Sequence, residues 1–129
     1  ADQYSKYYKR LEHAWEETNG QVPTYENALA KTPFCRLSNG STRDGREALG
    51  SEDYPYLKIV DCPLDIESKE QIQTITIDDM DAEVTGVDTA GYVLSVRVGN
   101  DTVSGEEFRT NYHLASSCFS FQKYPKSIF

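Results

Sequence analysis

Sulfur is scarce in this chain, with three cysteines and one methionine in 129 residues, and there is a single tryptophan. Cys35, Cys62 and Cys118 lie far apart and form no CxxC. A zinc centre gathers about four ligands at close quarters. His13 and His113 are the only histidines, and neither adjoins a cysteine. We therefore expect no metal and no cofactor. The cysteines read first as small buried hydrophobes, with one disulfide plus one free thiol as the alternative. Positive charge is short too: 13 Lys and Arg face 21 Asp and Glu, a net charge of −8. That balance argues against a nucleic-acid partner and against an anionic membrane surface. Long apolar runs are missing, and nothing approaches the roughly 18 residues of a membrane span. No secretory leader opens the chain, so a signal or anchor of an exported protein would lie outside these residues.

What is present is a folding pattern. Aromatic residues make up 12% of the chain, enough to favour a folded domain over disorder. Residues 83–121 carry the clearest punctuation. Val84, Val87, Val93, Val96 and Val98 flank Ala90-Gly91 and predict two strands joined by a short turn. Tyr92, Leu94, Val96 and Val98 alternate with Val93, Ser95 and Arg97, so one face is the more apolar. Gly99, Asn100 and Asp101 form a second turn. Ser104 and Glu107 fit a capping box, each side chain bonding the other's amide. Phe108, Tyr112 and Leu114 then face the core from a helix of two to three turns. Cys118, Phe119 and Phe121 suggest a closing strand.

Upstream, residues 3–18 form an amphipathic helix, with Tyr4, Tyr7 or Tyr8, Leu11, Ala14 and Trp15 at helical spacing and Asn19-Gly20 as its stop. A hairpin of two irregular strands, 21–25 and 28–34, turns about Glu26-Asn27, with Pro23 and Pro33 demoting both strands to edges. Residues 36–55 form a polar loop with one helical turn at 46–49. A short strand is expected at 56–60, a brief helix at 65–73 and a strand at 74–77. The fold class is α+β, in a single domain.

The polar loop carries the one candidate site. Ser38, Asn39, Gly40, Ser41, Thr42 and Arg43 bring hydroxyls, an amide and a guanidinium together. Such groups match sugar hydroxyls, and glycine allows close backbone approach. Tyr54 and Tyr56 offer stacking faces. The candidate substrate-binding set is therefore Ser38, Gly40, Thr42, Arg43, Tyr54 and Tyr56, with no catalytic residue named. The plain alternative is an ordinary Ser/Asn/Gly surface turn. Asp78, Asp79 and Asp81 read as a solvated acidic turn. Glu106 and Glu107 read as a helix N-terminus favoured by its dipole.

GYVLSVRVG, VSGEEFR and LASSCF, taken with AWEETNGQV, CRLSNGSTR and SEDYPYLKIVDCPLD upstream, follow one order. In that order they resemble the stage II sporulation protein D family, which includes LytB-type amidase enhancers. The resemblance runs from about Tyr7 to Phe121. It implies that residues 1–129 are part of a larger domain of that type. The family's proposed catalytic glutamate precedes an "ALkAQAVaaRTY" helix, and its "GHGvGMSQ" segment lies downstream; neither pattern occurs in these residues. Some members carry zinc on a Cys/His cluster near the turn matched here, where this chain offers Cys35 alone. The resemblance implies action on peptidoglycan outside the cytoplasm, by a lytic transglycosylase or as an enhancer of a cell-wall amidase. Glycan strands and such an amidase are the implied partners. The alternative is a non-catalytic peptidoglycan-binding or amidase-interacting module.

Overall fold

A computed structural model describes residues 2–123, which fall into two compact units divided between Pro33 and Phe34.

The first unit is helix α1 (Asp2–Thr18) followed by the strand pair β1 (Thr24–Tyr25) and β2 (Ala28–Leu29). The helix ends where Asn19 and Gly20 stop it, Gly20 adopting φ 78°. The hairpin turns at Glu26 (φ 47°) and Asn27 (φ 64°). Two consecutive left-handed residues define a two-residue turn whose twist matches that of paired strands. Both elements stand where the sequence places them, though each strand is only two residues long.

The second unit is built on a three-stranded antiparallel sheet in the order β3 (Ala82–Val87), β4 (Val93–Val98), β5 (Asp101–Ser104). Helix α3 (Gly105–Asn111) packs across it. The Ser104 hydroxyl accepts from the Glu107 N–H at 3.0 Å, which caps the helix. The reciprocal half of the expected capping box is absent among the described residues. Ser104 also closes β5 opposite Ser95, so its backbone belongs to the sheet edge. Gly105 starts the helix so close to β4 that a Cβ there would lie 1.9 Å from the Val93 carbonyl oxygen. Phe108 is thereby driven into the sheet.

The core consists of Ala82, Val93, Val96 and Phe108, with Met80, Tyr112, Leu114, Phe119 and Phe121 packed around them. Phe108 stacks on Tyr112 at 4.5 Å and on Phe119 at 5.1 Å, while Phe121 meets it edge-on at 5.4 Å. Phe108 and Tyr112 thus face the core as the helical spacing predicts, whereas Leu114 reaches it from beyond the helix, which ends at Asn111 before left-handed His113.

Simple alternation along β4 is broken. Val93 and Val96 are both buried, although they are three residues apart, and Leu94 is exposed. The pairing explains it. Val84 opposes Val96, Gly86 opposes Ser95 and Val87 opposes Val93. Thr85 is an extra residue on β3 and Leu94 an extra residue on β4, so the side-chain phase flips between Val93 and Val96. Leu94 therefore leaves the apolar face that the sequence pattern assigns it.

Other expectations are corrected as well. β5 occupies residues expected to be turn and cap. Residues 118–121 are not a strand; the chain meets the sheet there through one bond, Val93 N–H to the Ser117 carbonyl at 2.9 Å, and then packs by aromatic contact. The expected helix at 65–73 is a 3-10 helix, Pro63–Glu67, because Ser68 is already extended. Residues 74–77 are irregular, and 56–60 form no regular strand. The helical turn in the polar loop is present as α2 (Gly45–Leu49), capped by the Asp44 carboxylate and ended by left-handed Gly50.

Candidate functional site

The polar loop is one side of an irregular antiparallel ladder that closes around α2. Cys62 N–H donates to the Gly40 carbonyl at 2.8 Å, Thr42 N–H to the Val60 carbonyl at 2.9 Å, and Gly45 N–H to the Leu57 carbonyl at 2.7 Å. Ser41 and Asp61 form a bridge between them. The ladder sets residues 40–45 beside 57–62, which is how the loop and the tyrosine-bearing segment come together. A Cβ on Gly45 would lie 2.5 Å from the Leu57 Cβ, so the approach at that end requires glycine. Tyr54 and Tyr56 are half-buried and meet edge to face, 6.3 Å apart at 76°.

The polar atoms of the loop are largely committed to the fold. Ser38 is buried; its N–H and hydroxyl both donate to Asp65 Oδ2, at 2.8 and 2.6 Å. These two bonds hold the Asp65 carboxyl below its ordinary pKa. The Thr42 hydroxyl donates to the Lys58 carbonyl at 2.9 Å and accepts from Val60 N–H at 2.8 Å. Gly40 has φ 114°, and a Cβ there would lie 2.8 Å from Ile66 Cδ1. Glycine is needed at this position for backbone shape and to make room for Ile66.

The loop is locked onto the turn between β3 and β4. The Arg43 Nε donates to Asp88 Oδ2 at 2.6 Å, and its Nη1 reaches Glu106 Oε1 and Ser117 Oγ at 3.4 Å. The guanidinium carbon lies 4.9 Å from the centre of the Tyr92 ring. The Asp88 side chain is fully buried and that of Arg43 is 16% exposed, so this is an interior ion pair. The second oxygen of Asp88 accepts from Ala90 N–H at 3.1 Å and from Tyr92 N–H at 2.8 Å. Its charge is therefore both paired and hydrogen-bonded, the condition under which a carboxylate is tolerated out of water.

Asn39 adds a second lock. Its N–H donates to the Tyr92 hydroxyl at 3.1 Å and its Nδ2 to the Ala90 carbonyl at 2.8 Å. Burial pushes the Tyr92 phenol above its ordinary pKa, so it is neutral at physiological pH. Glu47 of α2 supplies a third, accepting from the Thr89 hydroxyl at 2.8 Å and from its N–H at 3.1 Å.

The structure therefore joins Ser38, Gly40, Thr42 and Arg43 in one framework, with Tyr54 and Tyr56 in the turn that leads into its 57–62 side. Sequence reasoning missed Asp88, Tyr92 and Asp65, which hold that framework. Asp88 precedes Thr-Ala-Gly, an Asx-turn signal that could have marked it. The acidic pair on α3 lies in its first turn as expected, and Glu106 is also bonded to Arg109 at 2.8 Å. Cys35 is exposed and Cys62 and Cys118 are half-buried, all three as free thiols, so the reading as buried hydrophobes is corrected. Each sits in or beside the polar loop framework and not in the Phe108 core. Among the described residues no group of three or more His, Cys, Asp or Glu is placed to hold a metal ion, and no helix is long and apolar enough to cross a membrane.

Fold and site together define a small α+β module in which a Ser/Asn/Gly loop is clamped by an interior Arg–Asp pair. The chain is similar to the stage II sporulation protein D of Bacillus amyloliquefaciens, 27% identical over 135 residues, covering 93% of this chain and 39% of that protein. The same identity and coverage hold for the stage II sporulation protein D of Bacillus subtilis strain 168. The resemblance read from the motifs is thus supported by a comparison over nearly the whole chain. The chain spans 39% of the length of these curated relatives. No family model matches it.

Proposed function

We propose that residues 1–129 are part of a sporulation-linked, extracytoplasmic protein that remodels peptidoglycan, and that this part contacts glycan strands without cleaving them. The observation that carries this reading is the similarity to the two stage II sporulation proteins D over 93% of the chain. The family's catalytic glutamate pattern has no counterpart in these residues. The acid that would protonate a glycosidic oxygen is therefore assigned to none of them.

The division of labour follows from the hydrogen bonds. Ser38, Thr42 and Arg43 spend their side chains on Asp65, Lys58 and Asp88, so their part is to hold the loop. The Tyr54 and Tyr56 rings supply the stacking faces for sugar rings. A cell-wall amidase is the second partner this reading allows. Affinity for glycan is weak, because sugar hydroxyls lose water on binding and that cost offsets the hydrogen bonds they form with the protein.

Co-sedimentation with amidase-stripped glycan strands tests the reading. Tyr56→Ala should lower the bound fraction, while Asp101→Asn, at the exposed start of β5, should not. Glu106 is unsuitable as a control because it contacts Arg43. Denuded peptidoglycan incubated with the chain should release no anhydro-muropeptides. Equal binding by wild type and Tyr56→Ala, or release of such products, contradicts the proposal.

A further inference from the structure

The dipeptide Asn-Gly occurs twice in the chain, at Asn19-Gly20 and at Asn39-Gly40. It is the setting in which an asparagine side chain is chemically least secure. Glycine has no side chain to shield its nitrogen, which can therefore reach the side-chain carbonyl of the asparagine before it. In an unfolded chain the two pairs are equivalent. The fold treats them in opposite ways.

At Asn39 every participant in that reaction is held. Its Nδ2 donates to the Ala90 carbonyl at 2.8 Å, and its Oδ1 accepts from the Ser41 N–H at 3.3 Å. The Gly40 N–H, whose nitrogen would attack, donates to the Ser38 hydroxyl at 3.2 Å. The Gly40 carbonyl accepts from the Cys62 N–H at 2.8 Å. Attack requires the amide to swing onto the next nitrogen. Here that would break bonds in a partly buried place, where unpaired polar groups are costly.

At Asn19 nothing comparable holds the side chain. Helix α1 ends at Thr18, and Gly20 is left-handed. Neighbours serve the last carbonyls of the helix. The Thr18 hydroxyl donates to Ala14 at 2.7 Å, and Gln21 Nε2 donates to Glu17 at 3.1 Å. The Asn19 side chain makes no hydrogen bond among the described residues. Within its own unit, a Cβ on Gly20 would meet nothing within 4 Å, whereas one on Gly40 would lie 2.8 Å from Ile66 Cδ1.

We propose that Asn19 is a site of spontaneous self-modification and that the fold exempts Asn39. The Gly20 nitrogen bonds to the Asn19 side-chain carbonyl carbon. The bond from that carbon to Nδ2 breaks, and ammonia leaves with the proton from Gly20. Water then opens the cyclic imide at either carbonyl, leaving aspartate or isoaspartate at position 19. Either product sets a carboxylate just beyond Glu16 and Glu17 at the C-terminal end of α1, which has no basic residue in its last turn. The helix dipole disfavours negative charge there. Isoaspartate also lengthens the backbone between α1 and the hairpin. The modification thus loosens the last turn of α1.

Time-resolved peptide mapping tests this. The purified 129-residue chain is held at neutral to mildly alkaline pH and digested with trypsin, which puts Asn19 in peptide 11–31 and Asn39 in peptide 37–43. Against a zero-time sample, 11–31 should gain the mass of an amide-to-acid change at Asn19 and accept methyl label from an isoaspartyl methyltransferase, while 37–43 stays unchanged. In guanidinium chloride the two asparagines should react at comparable rates. Asn19→Gln should abolish the label on 11–31, and Gly20→Ala should reduce it. An Asn19 that stays intact in the folded chain, or an Asn39 that reacts there as fast as Asn19, overturns the proposal. So does an Asn39 that stays intact in denaturant, because its protection would then not come from the fold.

Discussion

Two parts of the second unit are held by opposite means. Around Phe108 the contacts are apolar: four buried residues and a ring of aromatics, with α3 seated directly on β4. Around Ser38–Arg43 the contacts are polar, with hydroxyls, an amide and a guanidinium each bonded to a named acceptor. The apolar part resists change of volume. The polar part resists change of partner, because an interior donor or charge left alone costs more than its bond contributes. A loop that resembles a solvated turn in sequence is thus fixed by its chemistry to the turn between β3 and β4.

Phe108→Ala should be the most damaging single truncation, costing about 3–5 kcal/mol, since it deletes the residue that three other aromatic rings contact. Urea unfolding followed by tyrosine fluorescence or circular dichroism measures it. A loss below about 1 kcal/mol would mean that this cluster is not the organising core. Asp88→Asn should come next, at about 3 kcal/mol, because it takes from the Arg43 cation its buried counter-charge and leaves only the longer contact with half-exposed Glu106. A near-neutral result would place the pair in water and erase the contrast between the two parts. Ser104→Ala should cost about 1 kcal/mol by removing the cap on α3. That loss should appear in urea midpoints without altering glycan binding.

The smallest effect concerns pH. Asp65 is held below its ordinary pKa by Ser38, Asp44 by Arg46, and Asp81 by Arg97. Depressed carboxyls stabilise the fold at and above the unfolded carboxylate range, near pH 4, and this contribution is lost as pH falls through the folded values. Asp65→Asn should therefore be less stable than wild type at neutral pH, with the gap closing as both are acidified below about pH 4. A gap that widens on acidification would contradict the bond from Ser38 to the ionised Asp65.

The same contrast explains what was legible in the sequence. Periodicity and caps exposed α1, the hairpin at Glu26-Asn27, the β3–β4 pair and α3, because these depend on neighbours in the chain. The phase flip at Leu94 was hidden, since it arises from extra residues on two paired strands and leaves no mark in either strand alone. Residues 65–77 carry Ile66, Ile72, Ile75 and Ile77 at spacings that suit helix or strand, yet they settle as a short 3-10 helix and irregular chain. The loop residues Ser38, Thr42 and Arg43 were visible as a polar cluster. Their partners Asp65, Lys58 and Asp88 were not, because bonds across sequence separations of 27, 16 and 45 residues have no local signature.

The interior pair is the point on which the whole comparison turns. A double-mutant cycle on Arg43→Met and Asp88→Asn, read by urea denaturation, tests it directly. Each single change leaves the other partner without its buried counter-charge, whereas the double change removes both charges. The double variant should therefore be more stable than the sum of the single losses predicts, by about 2 kcal/mol or more. Additive losses would show that Arg43 and Asp88 do not hold the loop to the β3–β4 turn.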